Sequence, residues 1–395
     1  MKNMLSFTIP MLVVGLSSTA PTYASDQVDS IAAAISGGDA SIALRYRYEY
    51  VNQDDATGNT EANASTLKTR ITYKTLPYKK LTGTLEFDSN STIIEDGYND
   101  TLGANPGNAV VADPTYSEIN QAYLEYAAPA ETTVRYGRQR ITLDNQRFVG
   151  GVAWRQNEQT YDAISIINKS LPETTIQAAH LFNVNSIFGT NSGQGDQLIN
   201  VNNKSIDGLS LTAYAYLIED NTDTLGLRAS GNIKLEEASL LYTAEYATQE
   251  VDNISETDID YFNVEVGVQV SGITAKLGLE SLGSEDNIGF STPLGTKHKF
   301  NGWADKFLAT PAGGLDDTYL SISSKELGPK VAVAFHQFDE NEGSTDFGSE
   351  VDLVVTQKFD ENYSGVLKLA SYSEGDSGTG KTDTSKVWLQ LLAKF

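Results

Sequence analysis

Five of the nine arginines in this 395-residue chain stand in one stretch, "RYGRQRITLDNQRFVGGVAWRQNEQTYDA", at Arg135, Arg138, Arg140, Arg147 and Arg155. The chain around them carries a formal net charge of −24. Lysine serves solubility equally well, whereas gathered guanidinium groups suit planar, bidentate recognition of carboxylate or phosphate. Such a cluster filters or holds anions without making or breaking bonds. Bond-making chemistry has little to stand on. His180, His298 and His336 are the only histidine general bases on offer, and none lies near a G-x-S-x-G elbow. Acidic runs such as "QEVDNISETDID" lack the spacing of a calcium loop, and no second histidine stands at ligand spacing, so neither metal nor cofactor is expected. The acidic balance also argues against nucleic acid as a partner.

What positions the arginines follows from the character of the whole chain. Met1-Lys2-Asn3, an apolar run from Met4 to about Leu16, and the small-x-small sequence Thr22-Tyr23-Ala24 predict a signal peptide over residues 1–24. Residues 25–40, with "IAAAISGG", are expected to be a short periplasmic segment with little fixed structure. Cysteine is absent, which excludes disulfide-stapled scaffolds. Beyond Ala24 no run of about 18 apolar residues occurs, so helices do not span a membrane here. Strands are another matter. A transmembrane barrel shows only segments of roughly ten alternating residues, and 33 glycines, 20 tyrosines and 10 prolines suit such strands.

Period-two alternation recurs from Ser41 onward. "SIALRYRYEYV" sets Ile42, Leu44, Tyr46, Tyr48 and Tyr50 against Arg45, Arg47 and Glu49. Connections alternate between short turns ("LPYKK", "APAE", "VSG") and long loops (91–115, 143–160, 284–316), the asymmetry of an up-and-down membrane barrel. The final strand, "KVWLQLLAKF", ends on Phe395, which resembles the assembly signal of bacterial outer-membrane barrels. Parity requires one weak strand between Asn183 and Ser210, and "QLINVNNKS" supplies it. The predicted strands are 41–51, 65–75, 80–90, 116–127, 132–142, 160–168, 173–183, 197–205, 208–218, 223–231, 236–248, 258–270, 272–283, 317–325, 329–338, 349–358, 362–372 and 385–395. The fold class is therefore all-β, a transmembrane antiparallel barrel of about eighteen strands over residues 41–395, with sixteen as the alternative count.

A barrel this wide encloses a lumen that its own side chains do not fill. Alternation points Arg45, Arg47, Lys68, Arg70, Arg135, Lys276 and Lys368 inward, with Glu49, Glu86, Asp88, Glu125, Glu245, Glu265 and Glu280 among them. The apolar, glycine-rich centre "RFVGGVAW" is out of place in an external loop and more stable packed inside the barrel mouth. Infolding of residues 143–159 would bring Arg138, Arg140, Arg147 and Arg155 to a constriction beside Arg135, Arg45, Arg47, Arg70, Glu86 and Glu125. There the arginines either filter anions or pair with the inward acids as a ladder bracing the wall. Phe300, Trp303 and Phe307 form either a platform for a sugar ring or the core of their own loop.

The arginine stretch together with "HKFNGWADKFLATPAGGLDDTYLSI" (His298 to Ile322) resembles the alginate-export family of Gram-negative outer-membrane proteins. The resemblance implies an eighteen-stranded barrel, with a basic, arginine-lined pore in members that export alginate. The mixed charge of the later strands fits a porin-like channel for passive diffusion of small hydrophilic, anionic or sugar-type solutes. A dedicated exporter of an anionic polysaccharide and a non-transporting adhesin or receptor barrel are the alternatives. Expected partners are outer-membrane lipid and lipopolysaccharide, the barrel assembly machinery and the solutes themselves.

Overall fold

Alternation of apolar and polar residues dictates what a wide sheet does with its two faces, and here it closes with the polar face inward. The computed structural model describes residues 28–395 apart from 56–57, 95–96, 104, 253 and 255–257. The predicted signal peptide, 1–24, lies outside the described residues. The first six strands are β1 (Asp39–Asp55), β2 (Gly58–Lys74), β3 (Leu81–Ile94), β4 (Tyr116–Ala128), β5 (Thr132–Gln139) and β6 (Thr160–Asn168). The next six are β7 (Thr174–Asn185), β8 (Gln197–Ile206), β9 (Leu209–Ile218), β10 (Thr222–Lys234), β11 (Ala238–Val251) and β12 (Ile259–Val270). The last are β13 (Ile273–Leu282), β14 (Leu315–Ser324), β15 (Lys330–Asp339), β16 (Asp346–Lys358), β17 (Tyr363–Ser373) and β18 (Thr384–Lys394).

Each strand pairs antiparallel with the next, and β18 returns to β1 in the register Ala43↔Lys394 to Gln53↔Thr384. Among the described residues this makes one closed barrel of eighteen strands. Closure leaves no edge, as a sheet in hydrocarbon requires. The weak strand demanded by parity is real: β8 pairs with β7 on one side and β9 on the other. The outer face is apolar, with Leu227, Val266 and Val351 at least half exposed, while Arg47, Glu49, Asp88 and Asp352 inside are at most 1% exposed.

Several boundaries depart from expectation, and the contacts explain three departures. β2 begins at Gly58 rather than 65, because its polar start pairs with the upper part of β1 instead of alternating. There Tyr48 donates to Asn63 (2.7 Å) and Tyr50 to Glu61 (3.1 Å) on the outer face. β5 stops at Gln139 rather than 142, because the chain turns inward at Arg140 to bond Glu86 and Glu158. The segment before the barrel, expected to lack fixed structure, holds a helix, α1 (Ile31–Ser36), capped by Ser30, whose hydroxyl accepts from the Ala33 N–H at 3.1 Å. Tyr73 also donates to its Ile35 carbonyl, which fixes the helix against the short-turn end.

Candidate functional site

Two long loops, 143–159 and 284–314, fold into the lumen from the long-loop end and bind each other before they bind the wall. Gly150 N–H donates to Leu294 O (2.9 Å) and Thr296 N–H to Gln146 O (2.9 Å). Arg147 donates to Asn301 Oδ1 at 2.9 Å, and Arg155 to Asp305 Oδ2 at 2.8 Å. Phe148 and Phe290 pack with Tyr214, Tyr216 and Tyr261 of the wall, while Phe307 packs on Phe338 with ring centres 4.5 Å apart. The apolar loop centre therefore finds a core, which is why it leaves water.

Each of the five arginines has a carboxylate partner. Arg147 stands 2.9 Å from Glu280 of β13, and Arg155 3.3 Å from Glu49 of β1. Arg140 binds Glu158, and Glu86 at 2.9 Å. Arg70 and Lys68 reach the same web, Arg70 through Asp88 (2.6 Å) and Glu158 (2.8 Å), Lys68 through Asp88 (2.9 Å). Burial alone would push the Glu158 carboxyl up; Arg140, Arg70 and Lys68 outweigh it and hold the group well below the usual carboxylate range. Arg47 bonds Asp113 at 3.0 Å and the Trp154 carbonyl, while Arg45 bonds the Ala153 carbonyl and Gln156. The ladder arrangement is thus what the loop arginines build: they pin an infolded plug to the wall.

Arg135 pairs with Glu125 at 2.6 Å near the short-turn end, away from this web. Arg138 is a correction. Alternation runs straight through Gly137, which adopts φ +122°, where a Cβ would meet Ala122 O at 2.3 Å. Arg138 consequently emerges on the outer face with Tyr136 and Ile164, bound to Asp162 at 2.8 Å, and does not line the lumen. Of the predicted aromatic trio, Phe307 packs against the wall aromatics Phe338, Phe347 and Tyr372 instead of a core of its own loop, while Phe300 and Trp303 border open space.

That space is a cavity of about 1290 Å³ beneath the plug, reaching to the short-turn end at Asp207 and Lys234. Its ceiling includes Trp154, His298, Lys299, Phe300 and Trp303. Eight lysines and arginines line it against five aspartates and glutamates. Arg228 and Lys276 are paired with Glu245 and Glu265, but Arg45, Lys299 and Lys368 make no ion pair among the described residues. Sequence reading missed Glu158, Asp305 and Glu350, whose backbone and side-chain contacts dock the loops. The first two sit in loops, where alternation gives no direction.

Closed wall, polar lumen and infolded loops together define a porin-type barrel fold, and solved structures agree. OpdK of Pseudomonas aeruginosa, solved with vanillate, matches at TM-score 0.72 and 12% identity over 90% of this chain and 98% of that one. OccAB4 of Acinetobacter baumannii matches at 0.71 and 12%, covering 90% and 98%, and OccK9 (OpdG) of P. aeruginosa at 0.73 and 12%, covering 92% and 99%. At such identity the likeness is one of fold. Within that class, residues 39–173 match the family described as "Alginate export". No curated protein matches the chain.

Proposed function

We propose that the chain is an outer-membrane channel for passive diffusion of small hydrophilic solutes, favouring anions and performing no chemistry on them. One observation carries this reading: in a chain of net charge −24, the cavity lining has eight basic against five acidic side chains. A lumen with low-dielectric walls concentrates the counter-ion of its lining. Arg45, Lys299 and Lys368 offer the unneutralised charge, and the paired arginines set the width by holding the plug. In this reading Glu86 and Glu125 neutralise Arg140 and Arg135, and Phe300 with Trp303 stacks rings passing the ceiling. Residues 1–24 serve export, 25–40 lie in the periplasm, and 41–395 form one barrel in lipid and lipopolysaccharide, delivered by the assembly machinery with Phe395 as its signal.

The match to alginate export over residues 39–173 favours a second reading, export of an anionic polysaccharide. Planar-bilayer currents of the refolded chain under a KCl gradient test both. The diffusion reading expects a reversal potential on the anion side and brief current block by a small carboxylate; vanillate, present with OpdK, is the first to try. Block by uronate chains alone supports the exporter. Absence of conductance turns the reading to a surface adhesin or receptor.

A further inference from the structure

All three tryptophans of the chain converge on one ammonium group. Lys368 Nζ lies 4.1 Å from the ring centre of Trp154, 3.8 Å from Trp303 and 5.2 Å from Trp388. It also stands 2.7 Å from His298 Nε2. An ammonium has donors only, so the imidazole nitrogen facing it is the one with the lone pair. His298 Nδ1 then carries the hydrogen and donates it to Asp305 Oδ1 at 2.6 Å. The contact holds one charge. A proton added to His298 sets two N–H donors against each other.

A second seat for the lysine is already built. Asp352 on β16 is fully buried, and among the described residues neither carboxylate oxygen has a hydrogen-bond partner, the nearest ion-pair neighbour being His336 Nε2 at 3.9 Å. Val354 stands opposite Lys368, which places Asp352 diagonally across on the same inner face. Diagonal neighbours of an antiparallel pair lie about 7–8 Å apart, within reach of a long side chain.

We propose that Lys368 is a two-position latch: seated among the tryptophans against His298 it holds the 284–314 loop in the lumen, and in acid, when His298 takes up a proton, it moves to Asp352 and releases the loop. The groups facing the histidine come from every packed element. They are Asp305 of its own loop, Arg155 of the other loop, Lys386 of β18 and Arg47 with Glu49 of β1. Asp317, His336, Glu350 and Asp352 of β14 to β16 lie behind the lysine. Burial, with Lys368 beside it, pushes the His298 imidazole well below its ordinary value although Asp305 pulls the other way. A group depressed in the docked state leaves docking intact above the ordinary value and weakens it as pH falls.

Because the tryptophans all sit at the latch, their emission reports it directly, and only the current readout rests on the channel reading. In refolded full-length chain taken from pH ~7.5 to ~4.5, emission shifts to the red and bilayer conductance rises with the same midpoint. His298→Gln flattens both steps. Asp352→Asn, which leaves the cage untouched, moves the emission midpoint to lower pH by removing the second seat. Heat-modifiable migration identifies folded barrel, and should His298→Gln not fold, Asp352→Asn carries the test. A wild type without an emission step, a step that survives His298→Gln, or an unmoved midpoint in Asp352→Asn overturns the latch. An emission step without current at any pH supports the latch and overturns the channel reading.

Discussion

Arg155→Ala is the sharpest probe of what docks the plug. The guanidinium lies 3.3 Å from Glu49 and 2.8 Å from Asp305, and all three side chains are at most 7% exposed. Removing one partner of a buried pair costs about 3–5 kcal/mol, because the charge left behind stays out of water. Asp305 keeps Lys386 at 2.9 Å and His298 at 2.6 Å, so the loss falls mainly on Glu49, whose other cation, Arg47, is 4.0 Å away. The low end, about 3 kcal/mol, is therefore the working figure, and it raises the undocked population roughly a hundredfold. Hydrogen exchange reads that population. The amides of Gly150, Gln159 and Thr296, which bond Leu294 O, Gly151 O and Gln146 O, should exchange about a hundredfold faster, with wall amides unmoved. Adding Glu49→Gln should recover part of the loss, since the stranded charge goes with it. Exchange within about threefold of wild type in the single variant would refute electrostatic pinning and leave the apolar core as the docking force.

Four further outcomes follow from the geometry. Burial, reinforced by Arg228 and Lys276, pulls the Lys299 amine down to about 8; it is charged below that value and neutral above, so reversal potentials should lose anion preference as pH rises through it, and Lys299→Gln should remove the step. Arg138→Ala should leave selectivity unchanged, since Arg138 faces outward to Asp162, and a shift toward cations in KCl-gradient recordings would contradict its placement. Leu277→Lys on the apolar outer face should destabilise the barrel by about 2–4 kcal/mol in urea titrations, falling toward zero only if that position lies at an interface. Deleting Phe395, whose N–H donates to Ile42 O at 2.8 Å and whose carbonyl accepts from Ile42 N–H at 2.9 Å, should lower the heat-modifiable fraction in outer membranes.

Strand number and inner face were legible because alternation is local: Arg45, Arg47, Lys68, Arg70, Glu86 and Lys368 point inward as their positions dictate. Infolding of 143–159 was legible from an apolar segment with nowhere else to go. Pairing was not. Arg155 meets Asp305 across 150 residues and Lys368 meets His298 across 70, separations that no spacing rule spans. Arg138, expected at the constriction, faces outward because Gly137 keeps the strand in register with Tyr123 and Ala163. The convergence of Trp154, Trp303 and Trp388 draws on two loops and a strand, so it exists only once the barrel is closed.

That closure and the plug share their components. β1 and β18 meet at the seam, and both carry the groups that grip the loops: Arg47 and Glu49 on one side, Lys386 and Trp388 on the other. The plug thus straddles the joint like an internal clamp. Its docking must wait for β18, the last strand in sequence, and once made it adds contacts that have to break before the joint can part. Where closure sets the folding rate, contacts made only across the closed joint slow unfolding without slowing folding, which would make the interior a kinetic lock on the seam.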